Sequence, residues 1–428
     1  MRTGDDDASA ARLHKAGMAS ATYSLTVVQG LDRPLAVAAG LGDGLRHLLD
    51  FRLGGDHVGM LTEAGICSRA TARSLCRVRF TGEVRAVPEG RVVLAGEPVL
   101  EVTAPHAVAF LVQAELLRRL RFQTAMASRA AGIVRAAGAA RLIHRPESGR
   151  EVRSPVEARS AVIGGFDATC DLDAARRAAL PGAVLTDGLT AGFAADAGVV
   201  ALLVESIGEA DTDLVRSALA WVHSRRMRAR VGVAVSGGDL MRRCVQARRR
   251  LDGAGMRYVP VFVGGRLDEH AIAALSASEA PIEGFVVDPA GAGAAGGDPE
   301  MVSRLVVHRG VPVLQPGSDP GLLPASKQVY RGERGDLLVT RGERCPAGHR
   351  PLLELVMLAG RPLRPSEPAA GPVSEARVRS RADLAWLRHA ASTRDATFVA
   401  APRTSPRLRA LRDRVANAEP SALKASQV

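Results

Sequence analysis

The sequence predicts an α/β fold: an α/β barrel with an adjoining α/β (α+β) domain built from both chain ends. Three observations carry this. From about residue 140 to 310, short Val/Ile/Leu runs alternate with Arg/Ala/Leu-rich stretches of helical spacing, as βα units around a parallel sheet require. Each run is followed by a loop rich in Gly or Asp, the residues that end strands and start helices. Outside that region the pattern changes. Val78 to Val102 sets β-branched runs between turn residues such as Pro88-Glu89-Gly90 and Gly96-Glu97-Pro98, and Leu337 to Leu358 with Ala382 to Ala391 complete the same first domain.

The elements follow in order. Met1 to Gly17 carries Asp5, Asp6 and Asp7 without an apolar core, so it is not read as a secretory signal. Leu35 to Leu49 takes helical spacing toward its end, and Ala107 to Ala137 reads as two helices broken near Phe122-Gln123-Thr124. Strand-like runs come at Ala183 to Leu185, Val199 to Val204, Val231 to Val235, Val259 to Val263 and Gly284 to Val287, with helices such as Asp211 to Met227 and Asp239 to Gly253 between them. Pro312 to Pro324 is a Pro/Gly-rich return, and the tail from Ser392, with Pro402, Pro406 and scattered arginines, is expected to be weakly ordered. The predicted boundaries are 1–120, 121–320 for the barrel, 321–395 completing the first domain, and 396–428 for the tail.

Composition excludes several classes. Of 57 Lys plus Arg only Lys15, Lys327 and Lys424 are lysine, a bias that points to a GC-rich bacterial genome. The net charge of +12 attracts polyanions, but aromatics are 3% of the chain and do not interleave with basic stretches, so no stacking platform for nucleic acid is expected. Cys67, Cys76, Cys170, Cys244 and Cys345 are odd in number and contain no Cys-x-x-Cys pair, which argues against a disulfide framework and a structural zinc. The longest apolar run, Ala197 to Val204, is too short for a bilayer. A cytoplasmic protein without membrane or nucleic-acid partners is expected.

Phe80 to Val102, Phe122-Gln123-Thr124, Ile163 to Thr169, Gly238-Asp239-Leu240, Leu267-Asp268-Glu269, Pro281 to Phe285 and Lys327-Gln328-Val329-Tyr330-Arg331 follow one another in an order that, over about residues 20 to 360, resembles the nicotinate phosphoribosyltransferase family. The resemblance implies an irregular type II phosphoribosyltransferase barrel. It also implies transfer of a ribosyl phosphate from phosphoribosyl pyrophosphate to the ring nitrogen of nicotinate, assisted by ATP through a phosphorylated histidine. It further implies a homodimer, and an anion near Lys327 and Arg331.

The chain departs from the family pattern where that chemistry is kept. Pro181 to Thr190 has no histidine where the family carries one, and the family's paired arginines fall near Pro146-Glu147, with Arg150 or Arg153 as stand-ins. A family turn whose glycines would let N–H groups approach a phosphate reads Phe285-Val286-Val287-Asp288-Pro289 here, and a Ser-Gly loop reads Gly264-Gly265-Arg266. Asp167, Asp171, Asp187, Glu205, Glu209, Asp239 and Asp288 all follow strand-like runs. Carboxylates about 5 Å apart at an effective dielectric near 20 repel by roughly a few kcal/mol. Facing one cavity, they would disfavour a polyphosphate and suit a cation, an amine or general-acid work; singly, each suits a helix cap.

The site expectation is therefore Asp187, Glu205, Asp239 and Cys170 for catalysis, with Arg150, Arg153, Thr169, Lys327, Arg331, Gly264 and Gly265 for substrate. Cys170 is a nucleophile only if its thiolate is stabilised, and a small buried residue otherwise. Cys345-x-x-x-His349 lacks two further ligands of metal spacing, and His223, His270 and His308 have no partner pattern, so no metal site is expected. The cofactor stays open: Mg²⁺ is one candidate, and ATP belongs only to the family's own reaction. Three functions remain in view. They are an altered enzyme acting on a small carboxylate or amine in a biosynthetic pathway, specialised metabolism included; a non-catalytic partner or regulatory subunit; and a nicotinate phosphoribosyltransferase of pyridine nucleotide salvage.

Overall fold

The computed structural model describes residues 18–28, 35–52, 54–66, 68–74, 79–146, 154–186, 199–205, 211–224, 230–291, 298–315, 322–333, 335–364, 372–393 and 401–425. Two compact units emerge from its contacts. One comprises Met1–Thr124, Pro299–Pro372 and Ala382–Val428; the other comprises Ala125–Asp298 and Val373–Arg381. The first domain is thus assembled from both chain ends, with its return at Pro299 rather than at residue 321.

The first unit opens with β1 (Ser20–Val28), β2 (Leu35–Val37), α1 (Leu41–Asp50), α2 (Gly55–Glu63), α3 (Arg69–Ser74), β3 (Glu83–Ala86), β4 (Val92–Leu94) and β5 (Pro98–Pro105). The long helix α4 (His106–Ala137) follows. It is one helix of 32 residues where two were expected. Phe122, Gln123 and Thr124 contain no helix breaker, and their side chains find tertiary partners: Gln123 donates to Asp43 Oδ2 (3.1 Å) and Thr124 to Ala39 O (3.2 Å).

The second unit is the barrel. Its strands are β6 (Arg141–His144), β7 (Ala168–Thr169), β8 (Gly182–Thr186), β9 (Val199–Glu205), β10 (Arg230–Ser236), β11 (Val261–Gly264) and β12 (Gly284–Val287). Between them lie α5 (Ser154–Gly164), α6 (Leu172–Ala178), α7 (Asp211–Ser224), α8 (Leu240–Gly253) and α9 (Glu269–Ala277). The seven strands close in the order β10-β11-β12-β6-β7-β8-β9, and every neighbouring pair is parallel. Strand alternation sorts the side chains into two layers. Ile143, Ala168, Ala183, Ala201, Leu203, Ala234, Phe262 and Val286 pack together in one cluster, whereas Leu142, Leu202, Val233 and Phe285 pack with helix residues such as Ala130, Val215 and Ile272. The first set fills the barrel and the second joins it to its helices.

The chain then returns to the first unit with β13 (Glu300–His308), β14 (Val311–Pro312), β15 (Lys327–Gly332), β16 (Gly335–Thr340), β17 (Arg350–Pro351), β18 (Glu354–Leu358) and β19 (Arg361–Pro362). It ends with α10 (Val373–Thr393), β20 (Arg403–Thr404) and α11 (Pro406–Ala425). One sheet runs β14-β13-β1-β5-β3-β18-β19 and another β17-β15-β16-β20. The tail expected to lack order instead forms β20 and α11. Ser405 accepts the Leu408 N–H (3.1 Å) as a helix cap, and Leu408 is fully buried in the first unit's core. Its arginines suggested a solvated segment, but a single apolar residue per turn suffices to dock a helix.

No helix among the described residues is long and apolar enough to cross a membrane.

Candidate functional site

Strand C-termini form the mouth of a parallel barrel, where loops can place polar groups around one cavity. A cavity of about 310 Å³ lies there, lined by Arg145 and Pro146 after β6, Gly265 and Arg266 after β11, and Val286, Val287, Asp288 and Gly291 at the end of β12. Gly265 has φ +137°, a backbone that side chains rarely adopt; its N–H points to Val286 O (3.4 Å), tying the two loops together. Asp288 folds its carboxylate back on the following turn, Oδ1 accepting the Ala290 N–H at 2.8 Å. Two arginines and one aspartate therefore line the cavity.

Around it stand the other strand ends. Glu205 accepts from Ser236 Oγ (3.2 Å) and lies 3.8 Å from Arg145. His144, the last residue of β6, is fully buried and was missed by the sequence reading. Its Nδ1 is 2.9 Å from Thr169 Oγ1, and its Nε2, 4.0 Å from Asp288 Oδ1, has no hydrogen-bond partner among the described residues. Thr169 Oγ1 accepts the Asp171 N–H (3.0 Å); when it gives its own proton to Nδ1, the imidazole proton sits on Nε2 and faces Asp288. Burial pushes the imidazole down to about 4, against the opposing pull of Asp288 and Asp171; His144 is neutral at pH 7.

The family of this fold is settled by comparison. No protein-family model matches the chain. Over 361 residues it is 32% identical to the nicotinate phosphoribosyltransferase pncB2 of Mycobacterium tuberculosis, covering 78% of this chain and 76% of that protein. The chain belongs to the nicotinate phosphoribosyltransferase family. It is 31% identical over 339 residues to pncB1 of the same organism, covering 75% and 74% of the two chains. Among solved structures it is similar to human nicotinic acid phosphoribosyltransferase (TM-score 0.68, 20% identity, 96% of this chain and 99% of that one). It is similar also to the nicotinate-nucleotide pyrophosphorylase from Pyrococcus furiosus (TM-score 0.64, 18% identity, 91% and 98%). At those identities the likeness is one of fold.

Within this nicotinate phosphoribosyltransferase-like frame, the expected site residues separate. Gly264 and Gly265 do stand at the mouth, and Glu205 is beside it. Thr169 is fully buried and committed to His144 and Asp171 rather than turned to a ligand. Cys170 is half-buried; desolvation pushes its thiol up to about 12, with only a partial counter-pull from Arg145. Burial thus opposes the thiolate that a nucleophilic Cys170 would need. Asp239 is exposed and caps α8 through the Arg242 N–H (3.1 Å), and Asp171 caps α6 through the Ala174 N–H (2.8 Å). Asp167 belongs to the opposite barrel end, where it pairs with Arg377 and Arg381. The acids expected to crowd one cavity are thus dispersed; of those described, Asp288 lines the mouth cavity. Asp187, Glu209, Arg150 and Arg153 lie outside the described residues.

The basic pair of the Lys327–Arg331 segment is also not presented to a ligand. Lys327 is 2% exposed and its Nζ donates to Leu323 O (3.0 Å) and Ala325 O (2.8 Å), with Glu101 at 3.7 Å. Arg331 is 3% exposed and donates to Asp336, Asp383 and Val92 O, its guanidinium 4.6 Å from the Trp386 ring centroid. Charges so enclosed and paired hold the first unit together. Asp336 lies five residues from Arg331 on the paired strand, but Asp383 is 52 residues from Arg331 and Glu101 is 226 from Lys327, beyond the reach of any local pattern.

Proposed function

We propose that this nicotinate phosphoribosyltransferase-like protein is an enzyme with an altered site, taking a small carboxylate-bearing molecule at its barrel mouth. The observation that carries this is Asp288, a carboxylate lining the cavity of about 310 Å³ together with Arg145 and Arg266. Two guanidiniums suit one carboxylate in a forked contact. A pyrophosphate would add negative charge beside Asp288, which costs affinity. Asp288 and Glu205 are then the groups able to accept a hydrogen bond or proton from the ligand's other end. A biosynthetic step on a small acid, by a homodimer with or without Mg²⁺, is the setting this implies.

The test is calorimetric titration of the purified chain with phosphoribosyl pyrophosphate in the presence of Mg²⁺, beside titration with nicotinate and an assay for nicotinate mononucleotide with and without ATP. Binding of a carboxylate without binding of phosphoribosyl pyrophosphate is expected. A second reading, salvage of nicotinate itself, is favoured by one observation: Gly265, Arg145 and Arg266 line one cavity at the barrel mouth, two basic residues beside a glycine of positive φ. Binding of phosphoribosyl pyrophosphate with turnover would establish that second reading and remove the first.

A further inference from the structure

The barrel carries a second cavity, at the opposite end from the mouth. It measures about 490 Å³ and is entered at the strand starts, where Arg141 begins β6 and Arg230 begins β10. Its inner wall is made by Ile143, Ala168, Ala201 and Phe262, four members of the cluster that fills the barrel. Two features of the sequence leave this space open. Positions that could fill the barrel with Leu or Ile carry Ala. The Phe262 ring is also drawn sideways over two glycines on the flanking strands: a Cβ on Gly232 would stand 3.1 Å from Phe262 Cε2, and one on Gly284 would collide with the ring.

The rim has a definite charge. Asp167 is engaged by Arg377, Arg381 and the Leu142 N–H (2.9 Å), and Glu283 accepts the Val261 N–H (2.6 Å). Arg141 and Arg230 form no ion pair among the described residues and stand three strands apart around the ring. The acids at this end are committed while two guanidiniums are not. Tyr258, 69% exposed, stands at the same opening with Pro260.

We propose that this end of the barrel is a second ligand site, binding an aromatic monoanion larger than a single ring. Its apolar body enters among Ile143, Ala168, Ala201 and Phe262, and its carboxylate remains at the rim with Arg141 and Arg230. The volume falls within the range of about 300–1,000 Å³ usual for small-molecule sites, which join apolar walls to a few polar groups. A desolvated body with a charged end in the rim follows the same division that the cavity makes. The site is independent of whatever the mouth binds.

The experiment is calorimetric titration of the full chain with 2-naphthoate, and separately with the neutral 2-naphthalenemethanol. Saturable binding of 2-naphthoate is expected, with the neutral probe about tenfold weaker, equivalent to about 1.4 kcal/mol. The doubly substituted R141A/R230A chain should lose about tenfold in 2-naphthoate affinity at unchanged melting temperature, because both side chains are exposed. Ala201→Leu should weaken both probes by filling the cavity, and Arg145→Ala, at the far end, should leave both unchanged. The proposal is overturned if 2-naphthoate fails to saturate, if both probes bind equally, or if Arg145→Ala abolishes binding while R141A/R230A does not.

Discussion

Arg331 faces Asp336 across the β15–β16 ladder, and its Nε lies 3.0 and 3.1 Å from the two carboxylate oxygens. The same guanidinium reaches Asp383 at 2.7 Å, and Asp383 also receives Arg91 (2.8 Å) and Arg350 (3.0 Å). Arg331 is therefore the centre of an internal network. Removing one partner leaves buried charge unpaired, which costs about 3–5 kcal/mol. Arg331→Ala should lower the unfolding free energy by that amount, read from the fall in denaturant midpoint, while ligand affinity of the folded fraction stays unchanged. A selective loss of ligand affinity at unaltered stability would return Arg331 to the site.

Asp288→Asn should make the mouth more hospitable to polyanions. Removing one carboxylate from the cavity lined by Arg145 and Arg266 is expected to raise affinity for inorganic pyrophosphate about tenfold, measured by titration at fixed ionic strength. Arg145→Ala should act in the opposite direction on both pyrophosphate and a carboxylate ligand. Were Asp288→Asn to leave pyrophosphate affinity unaltered, the carboxylate would not be what excludes it.

Gly265→Ala places a side chain where φ is +137°. Strain of this kind costs about 1–3 kcal/mol, and the loop that ties β11 to β12 should loosen with it. Melting temperature and mouth-ligand affinity are both expected to fall, whereas affinity for 2-naphthoate at the other barrel end is not.

His144 gives the fold an acid sensitivity. Its imidazole, ordinarily at 6.5, lies near 4 in the folded chain because of burial. As pH falls below about 6.5 the unfolded chain takes up the proton first, so stability present above that pH is lost progressively down to about 4. His106 and His308 are also pushed down by burial and act with the same sign. At about 1.4 kcal/mol per pKa unit, the advantage of the wild type over His144→Gln should shrink by roughly 1–2 kcal/mol between pH 7 and pH 5. Parallel denaturation curves at the two pH values check this; a constant gap would mean that folding leaves the His144 pKa unshifted.

Cysteine labelling should separate two thiols cleanly. Cys345 is exposed, whereas Cys170 is half-buried with its thiol pushed up to about 12. Iodoacetamide at pH 7.5 should modify Cys345 within minutes and Cys170 only after denaturation, as read by peptide mass mapping. Rapid labelling of native Cys170 would restore it as a nucleophile.

The barrel was legible wherever a strand fills a whole apolar run. Val231 to Val235 and Gly284 to Val287 match β10 and β12 closely, because a parallel strand covered on both faces needs apolar residues throughout. β6 was not singled out, since Arg141 and His144 at its ends hide a two-residue apolar centre, and β7 is only Ala168–Thr169. The site was far less legible. An Asp after a strand is the same letter whether it caps a helix, as Asp239 does, or lines a cavity, as Asp288 does; only the path of the next turn separates them. His144 carried no local signal because Thr169 and Asp288, which give it meaning, lie far along the chain. Lys327 and Arg331 were recognisable as a motif, but beside the nearby Asp336 their burial depends on Glu101 and Asp383, which no local pattern connects to them.

The ordered C-terminal segment changes what can be cut away. β20 pairs along β16 and α11 inserts Leu408 into the core. A chain shortened at Ser392 would leave β16 with a free row of amide and carbonyl groups beside an uncovered apolar patch. Such an edge recruits strands from other molecules. Trimming what looks like a dispensable basic tail would accordingly yield an insoluble product, and an affinity handle is better placed beyond Val428 than substituted for the segment itself.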